Sequence, residues 1–177
     1  MARVVPRAAA FLDRDGTLNV RPSEHQHISA IEDFEWLPEV PEALALLASA
    51  GYFLAVVSNQ RGVALGVTKE AILRAIEERI QRRLEPLGCS IDVFRYCFHD
   101  RNEGCSCRKP EPGMLLAIGD EFGIDLSRSW MIGDQDSDVR AGRAAGCKTA
   151  LIAPQSSSPE ADLVAPSLLE VTRQLTR

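Results

Sequence analysis

Residues 8–17 read Ala-Ala-Ala-Phe-Leu-Asp-Arg-Asp-Gly-Thr, an apolar run that ends on two aspartates and a glycine. The arrangement returns at residues 52–59, where Tyr-Phe-Leu-Ala-Val-Val is followed by Ser-Asn, and at residues 130–134, where Trp-Met-Ile is followed by Gly-Asp. Short continuous apolar runs are typical of strands that are buried on both faces, as in parallel sheets. Each run therefore predicts a buried strand with polar residues at its carboxyl end.

Helix-like segments separate these strands. Leucines and alanines recur at helical spacing over residues 41–50, and Thr68 is expected to be the N-cap of a long helix that runs to Leu84. Ile72, Ile76 and Ile80 are expected to form the buried stripe of that helix. The other expected elements are strands at 91–97, 149–152 and 163–164, helices at 113–122 and 139–145, and a last helix capped by Ser167.

This alternation predicts an α/β fold, a three-layer Rossmann-like parallel sheet with helices on both faces. The 177 residues show no internal repeat or linker, so we expect one domain over residues 1–177. Ligands of such sheets bind beyond the carboxyl ends of the strands. Asp13, Ser58 and Asp134 are all expected at such ends and are therefore expected to converge.

Charge and hydropathy exclude several classes of protein. The net charge of -5 argues against general nucleic-acid binding, which needs a basic face. No apolar run approaches the roughly 20 residues that span a bilayer, and residues 1–7 lack the apolar segment of a signal peptide. We expect a cytoplasmic monomer that acts on a small molecule, with no nucleic-acid or membrane partner.

The two aspartates at Asp13 and Asp15 are candidates for phosphoryl-transfer chemistry. One carboxylate can attack phosphorus while the other donates a proton to the leaving oxygen, if their environments differ. A carboxylate that attacks an anionic phosphate needs the repulsion offset, and Mg²⁺ does this. Asp134 and Asp138 are candidates to complete the magnesium site.

Further residues have the chemistry to hold a phosphate. The Ser58 hydroxyl and the backbone amides around Asn59 can bind phosphoryl oxygens, Lys109 supplies a positive charge, and Arg108 can fork onto a second anionic group. Each of these short motifs is common by itself in turns and loops. Their convergence at one edge of one sheet is what indicates a phosphoryl-transfer site.

In this order, Asp-Arg-Asp-Gly-Thr, Ser58, Lys109 and Gly-Asp-x-x-x-Asp resemble the four motifs of the haloacid-dehalogenase (HAD) superfamily of phosphatases. The resemblance implies that Asp13 is the nucleophile and Asp15 the general acid and then the base. It implies that Mg²⁺ is held by the Asp13 side chain, the Asp15 backbone carbonyl and Asp134. Asp138 would act in support or through water, and Ser58 and Lys109 would bind the phosphoryl group.

A finer resemblance is to the small, capless branch that includes phosphatases of D-glycero-D-manno-heptose 1,7-bisphosphate and of histidinol phosphate. It rests on residues 107–114, Cys-Arg-Lys-Pro-Glu-Pro-Gly-Met, and on residues 141–146. Where the heptose enzymes usually read Asn-Gln-Ser-Gly-Ile-Ala-Arg-Gly, residues 59–66 read Asn-Gln-Arg-Gly-Val-Ala-Leu-Gly. Leu65 stands where an arginine is expected, and Arg61 is a candidate to replace it in binding substrate.

A cluster of cysteines predicts a zinc site in the loop over residues 97–107. Cys97-x-His99, five residues and then Cys105-x-Cys107 offer three sulfurs and one imidazole, which suit tetrahedral Zn²⁺, and the capless branch has the same type of loop. A site with four protein ligands is structural, and this one would aim the cations that follow it. The alternative is a loop of reduced thiols with an exposed histidine.

We therefore expect a Mg²⁺-dependent phosphatase of a small phosphorylated metabolite, with heptose 1,7-bisphosphate (7-phosphate) as the implied substrate. The alternatives are a histidinol-phosphate phosphatase, a 3′-phosphatase of nucleic-acid ends, and a non-catalytic, zinc-stabilised binding protein. Arg61 and Arg108 favour a second phosphate over an amine. Without a large cap, the substrate would be recognised by the loops at 20–34, 61–67 and 99–108 or by a partner. His25 and His27 in the first loop either contact it or are solvated.

Overall fold

The computed structural model describes residues 6–23, 27–154 and 160–177, which contain six strands in one parallel sheet. The strands are β1 (Ala9–Leu12), β2 (Phe53–Asn59), β3 (Val93–Cys97), β4 (Trp130–Gly133), β5 (Lys148–Ile152) and β6 (Leu163–Ala165). Their order in the sheet is β3-β2-β1-β4-β5-β6. The chain crosses from one side of β1 to the other after β3, so the strand order reverses between β1 and β4.

Helices cover both faces of this sheet. They are α1 (Val40–Ser49), α2 (Arg61–Ala64), α3 (Glu70–Leu84), α4 (Gly113–Phe122), α5 (Asp136–Ala145) and α6 (Leu168–Leu175). Ala10 and Leu12 of β1 belong to the core cluster that contains buried residues of α1, α3 and α6. Ala9 and Phe11 belong to the cluster that contains those of α4 and α5. The predicted three-layer α/β fold is confirmed.

The expected N-cap of α3 is wrong. The helix begins at Glu70, and the hydroxyl of Thr68 is buried and donates a hydrogen bond to the carbonyl oxygen of Ile28, 2.8 Å away. A tertiary contact with the preceding loop has taken the side chain that the local pattern assigned to capping. The buried stripe also differs, because Leu73 replaces the partly buried Ile72.

Helix α5 begins three residues earlier than expected, at Asp136. The backbone nitrogen of Gln135 donates to Oδ2 of Asp138 at 3.1 Å, which is one half of a capping box. Asp138, one of the candidate metal ligands, therefore also lies in the first turn of the helix and caps it. This arrangement sets Asp138 under the carboxyl end of β4.

The carboxyl edge of the sheet is open. No part of the described chain forms a cap domain over it, which agrees with the prediction. A backbone bridge between Asn19 and Trp36 closes the loop that follows β1. None of the helices within the described ranges has the length and apolar character that crossing a bilayer requires. Asp13, Ser58 and Asp134 lie together at this edge, next to the reversal in strand order where ligands bind in such sheets.

Candidate active site

A buried ion cluster lies where β1 and β4 end. The backbone nitrogen of Asp13 donates to the carbonyl oxygen of Ile132 at 2.9 Å, which continues the β1–β4 pairing and sets Asp13 at the sheet edge. Nζ of Lys109 lies 2.7 Å from Oδ1 of Asp13 and 2.7 Å from Oδ1 of Asp138. It also donates to the carbonyl oxygen of Val57 at 2.8 Å. One ammonium therefore holds two carboxylates and the end of β2.

Burial and neighbouring charges together shift the pKa values of Lys109 and Asp13. Burial by itself would lower the pKa of Lys109, but the charges of Asp13 and Asp138 raise it, so the ammonium keeps its proton. Burial, assisted by the charge of Asp138, raises the pKa of Asp13 to about 7 against the lowering effect of Lys109. A further cation at this point would stabilise the charged form of Asp13.

Asp134 completes a group of three carboxylates. Oxygen atoms of Asp13, Asp134 and Asp138 all lie within 4.8 Å of one another. Two glycines allow this approach: a Cβ on Gly16 would lie 2.1 Å from Oδ2 of Asp134, and a Cβ on Gly133 would lie 2.2 Å from Oδ2 of Asp138. Gly16 also has φ +95, which L side chains rarely adopt. Clustered carboxylate oxygens are the ligands that Mg²⁺ prefers.

Asp15 is held by a network of donors. Arg14, which is fully buried, donates from Nη2 to both of its carboxylate oxygens at 2.9 Å. Asn19 and Gln60 add one hydrogen bond each, at 3.0 and 2.9 Å. Burial raises the pKa of Asp15, but the Arg14 charge and these hydrogen bonds together bring it below its ordinary value. Asp13 and Asp15 thus have different environments, as two carboxylates with different roles require.

Ser58 and Asn59 lie at the end of β2 beside Lys109. The Ser58 hydroxyl is buried and accepts a hydrogen bond from Nε2 of Gln60 at 2.9 Å. The Asn59 side chain donates to the carbonyl oxygen of Lys109 and accepts from its backbone nitrogen, both at 3.0 Å. The Asn59 side chain therefore positions the Lys109 segment, and its amide group is engaged with backbone rather than directed to a ligand.

A basic cleft of about 1020 Å³ opens beside the cluster. The three loops expected to recognise the substrate all contribute to it, and its lining includes Leu65 and four arginines: Arg21, Arg61, Arg101 and Arg108. Arg61 forms an ion pair with Asp100, and Arg108 donates to the carbonyl oxygen of His99 at 3.3 Å. Among the described residues that line the cleft, Asp15 is the one carboxylate against four arginines, so this part of the cleft suits an anionic molecule.

Of the two histidines in the first loop, the structure describes His27. His27 is half-buried and lines the cleft, close to Gly62, where an added Cβ would meet its ring at 3.0 Å. His25 lies outside the described residues.

The four predicted zinc ligands come together. Sγ of Cys107 lies 3.2 Å from Nδ1 of His99 and 3.2 and 3.6 Å from the sulfurs of Cys97 and Cys105. Tetrahedral zinc with bonds of about 2.3 Å to sulfur and 2.0–2.1 Å to nitrogen separates its ligand atoms by roughly 3.5–3.8 Å. Disulfide sulfurs lie about 2.05 Å apart, so these thiols are not paired. Burial raises the pKa of Cys97 to about 12, which a bound metal would reverse.

Known proteins resemble this chain over most of its length. A family model described as "HAD-hyrolase-like" matches residues 106–171. D-glycero-beta-D-manno-heptose-1,7-bisphosphate 7-phosphatase of Pseudomonas aeruginosa is 38% identical over 146 residues, which cover 82% of this chain and 81% of that protein. The protein of the same name from Escherichia coli K12 is 37% identical over 171 residues, 92% of this chain and 87% of that one. The chain belongs to the haloacid-dehalogenase (HAD) superfamily.

Solved HAD structures share the fold. The crystal structure of D,D-heptose 1,7-bisphosphate phosphatase from B. bronchiseptica, complexed with magnesium and phosphate, has a TM-score of 0.87 and 31% identity to this chain. The match covers 95% of this chain and 97% of that one. The predicted membership in the superfamily is therefore confirmed, and so is the phosphatase class.

The HAD motifs account for only part of the site. Sequence reasoning did not single out Arg14 and Gln60, which hold Asp15, or Arg21, which donates to Asp134. Charged side chains are normally exposed, so nothing in the pattern indicates that Arg14 is fully buried. Its place between the two motif aspartates was the available signal.

Proposed function

We propose that this HAD phosphatase is a Mg²⁺-dependent phosphomonoester hydrolase that removes the 7-phosphate of D-glycero-D-manno-heptose 1,7-bisphosphate. The observation that carries the proposal is the Asp13 carboxylate held at 2.7 Å by the buried Lys109 at the reversal in strand order. The relatives that share 37–38% identity with this chain are named for that reaction.

Asp13 is the proposed nucleophile. Its carboxylate oxygen forms a bond to phosphorus as the bond from phosphorus to the leaving sugar oxygen breaks, which gives an aspartyl-phosphate. Lys109, together with the hydroxyl of Ser58, stabilises the charge on the transferring group. Water then attacks the aspartyl-phosphate, releasing phosphate and restoring the Asp13 carboxylate.

Asp15 is the proposed proton carrier. A phosphate dianion that arrives beside Asp15 raises the pKa of its carboxyl group, because like charges disfavour the charged form. The protonated Asp15 gives its proton to the leaving oxygen in the first step and takes one from water in the second. Arg14 holds the carboxylate in place between the two steps.

Magnesium fits the oxygen-rich cluster. The side chains of Asp13 and Asp134 and the backbone carbonyl of Asp15 would hold it. The carboxylates of Asp13, Asp134 and Asp138 lie close enough to share one ion. The ion would offset the repulsion between the nucleophile and the phosphate. Asp138 supports the site by pairing with Lys109.

The basic cleft is the proposed place of the second phosphate. Arg61 and Arg108 line it, and guanidinium groups can bind phosphate through two parallel hydrogen bonds. Arg61 and Leu65 line the same cleft. Arg61 is therefore placed to provide the positive charge that the branch usually has at position 65.

A substrate panel tests the proposal. Phosphate release with Mg²⁺ is measured on both anomers of heptose 1,7-bisphosphate, on fructose 1,6-bisphosphate, on histidinol phosphate and on a 3′-phosphorylated oligonucleotide. We expect one heptose anomer to exceed histidinol phosphate in kcat/KM about 100-fold, since a charged hydrogen bond contributes about 1.5–3 kcal/mol.

The panel also separates the ways of failing. Equal rates on all compounds would retain the phosphatase and reject the heptose assignment. The Asp13→Asn variant gives the background rate of phosphate release. If the unchanged chain releases no more phosphate than this variant from any compound, the catalytic proposal is rejected and a binding protein is favoured.

We further propose that Cys97, His99, Cys105 and Cys107 hold a structural Zn²⁺. The support is the distances between their ligand atoms and the ligand chemistry. The loop leads directly into Arg108 and Lys109, and the Arg61–Asp100 ion pair ties it to α2. Zinc would therefore fix the direction of the cations at the cleft.

Replacing Cys105 by serine tests the zinc proposal. We expect the variant to lose its zinc and to melt roughly 5–10 °C lower, the shift that a loss of about 2–3 kcal/mol gives at this size. Activity should fall about 10- to 100-fold, because small displacements of binding groups have effects of that order. Metal analysis, thermal unfolding and kinetics are compared with Cys89→Ser, which lies outside the cluster. Retained zinc with unchanged activity would contradict the proposal.

A further inference from the structure

Arg21 binds the acidic cluster from the cleft. Its Nε lies 2.9 Å from Oδ2 of Asp134 and its Nη2 lies 2.5 Å from Oδ1 of the same residue. Nη2 is also 3.7 Å from Oδ2 of Asp13. The guanidinium therefore forks onto one carboxylate and reaches a second, although the proposed chemistry assigns no role to Arg21.

The same two carboxylates are the proposed magnesium ligands, so this inference rests on the proposed function. Mg²⁺ takes oxygen ligands at about 2.0–2.1 Å in a nearly octahedral arrangement. A guanidinium that engages both oxygens of Asp134 keeps the ion from them. An ion bound between Asp134 and Asp13 in turn repels the guanidinium, so the two cations exclude each other.

The exchange needs only rotation of the Arg21 side chain. The adjacent backbone is anchored, since the nitrogen of Val20 donates to the carbonyl oxygen of Glu35 at 2.8 Å. The Arg21 side chain is 43% exposed, so it can rotate into solvent. Arg21 lines the same cleft as Arg61 and Arg108, where an anionic substrate would meet it.

We propose that Arg21 is a built-in counter-ion of the magnesium site. It neutralises Asp134 and Asp13 before the metal binds, gives them up to the metal, and then turns to the phosphorylated substrate. Lys109 offsets only one of the three carboxylate charges, so without Arg21 the cluster would keep a net negative charge in a partly buried site. Because only molecules with a displaced Arg21 can take the metal, the contact lowers the apparent affinity for Mg²⁺.

Calorimetric titration of Mg²⁺ into the substrate-free protein tests this, with Arg21→Gln compared to the unchanged chain. If the contact is present in about nine tenths of metal-free molecules, its removal lowers the Kd for Mg²⁺ about tenfold. Without metal, the variant should also melt at a lower temperature than the unchanged chain. At saturating Mg²⁺ the melting temperatures of the two proteins should converge. Arg101→Gln is the matched control, because it removes the same charge from the same cleft.

The possible outcomes either support or overturn the role of Arg21. An unchanged Kd in Arg21→Gln, or a change no larger than that of Arg101→Gln, would overturn the proposal. If Arg21→Gln does not fold, Arg21→Lys keeps the charge without the fork and should give an intermediate Kd, whereas a Kd equal to that of the unchanged chain would overturn it. A parent protein that neither binds Mg²⁺ nor releases phosphate would instead overturn the proposed function.

Discussion

Replacing Lys109 by methionine is expected to destabilise the protein by about 3–5 kcal/mol and to remove most of its activity. Methionine has a similar length and leaves Asp13 and Asp138 buried at close range without their shared cation. Removing one partner of a buried ion pair has costs of this size, because the remaining charge is uncompensated. The transferring phosphoryl group would at the same time lose a cation that is proposed to stabilise its charge.

The pH dependence of this loss has a defined sign. Lys109 lowers the pKa of Asp13, which burial raises to about 7, so without the lysine the pKa rises further. A carboxyl group with a raised pKa binds more protons in the folded state than in the unfolded one, so stability falls as pH rises. The destabilisation should therefore be largest above neutral pH and smaller near pH 5.

Urea unfolding at several pH values, with and without Mg²⁺, measures the effect. Arg108→Met is the matched control, because it removes a neighbouring cation that is only half-buried. Its free energy of unfolding should change by less than about 0.5 kcal/mol, while its KM rises. Equal stability of Lys109→Met and Arg108→Met would show that the buried cluster does not depend on Lys109.

Exchanging Asp13 for asparagine is expected to reduce kcat by about 10⁴-fold or more, the order that loss of a nucleophile gives in other enzymes. The amide keeps the shape of the carboxylate but does not attack phosphorus under these conditions. Stability should change little, because Lys109 retains Asp138 as its partner, at 2.7 Å. Loss of activity with retained stability would separate this variant from Lys109→Met.

Acid quenching during turnover, followed by mass spectrometry of the peptide that contains residue 13, tests the covalent step directly. The unchanged chain should carry a phosphoryl group on Asp13, and the variant should carry none. Asp120→Asn, an exposed aspartate on α4, is the control and should keep full activity. A variant at Asp13 that retained a tenth of the activity would exclude this residue as the nucleophile.

Much of the site was predictable because its parts follow strands. Asp13, Ser58 and Asp134 each come after an apolar run, and parallel strands bring their carboxyl ends to one edge. The cluster of Cys97, His99, Cys105 and Cys107 was predictable from the sequence because all four lie within eleven consecutive residues.

The sequence by itself determined the α/β alternation, the family motifs and which residue types carry the chemistry, because periodicity and spacing are local properties. Only the tertiary structure decided how those residues are paired. Lys109 meets Asp13 across 96 positions, and Arg21 meets Asp134 across 113. Whether such a charge is buried, shared or exposed depends on packing between distant segments, and burial is what sets its pKa and its partner.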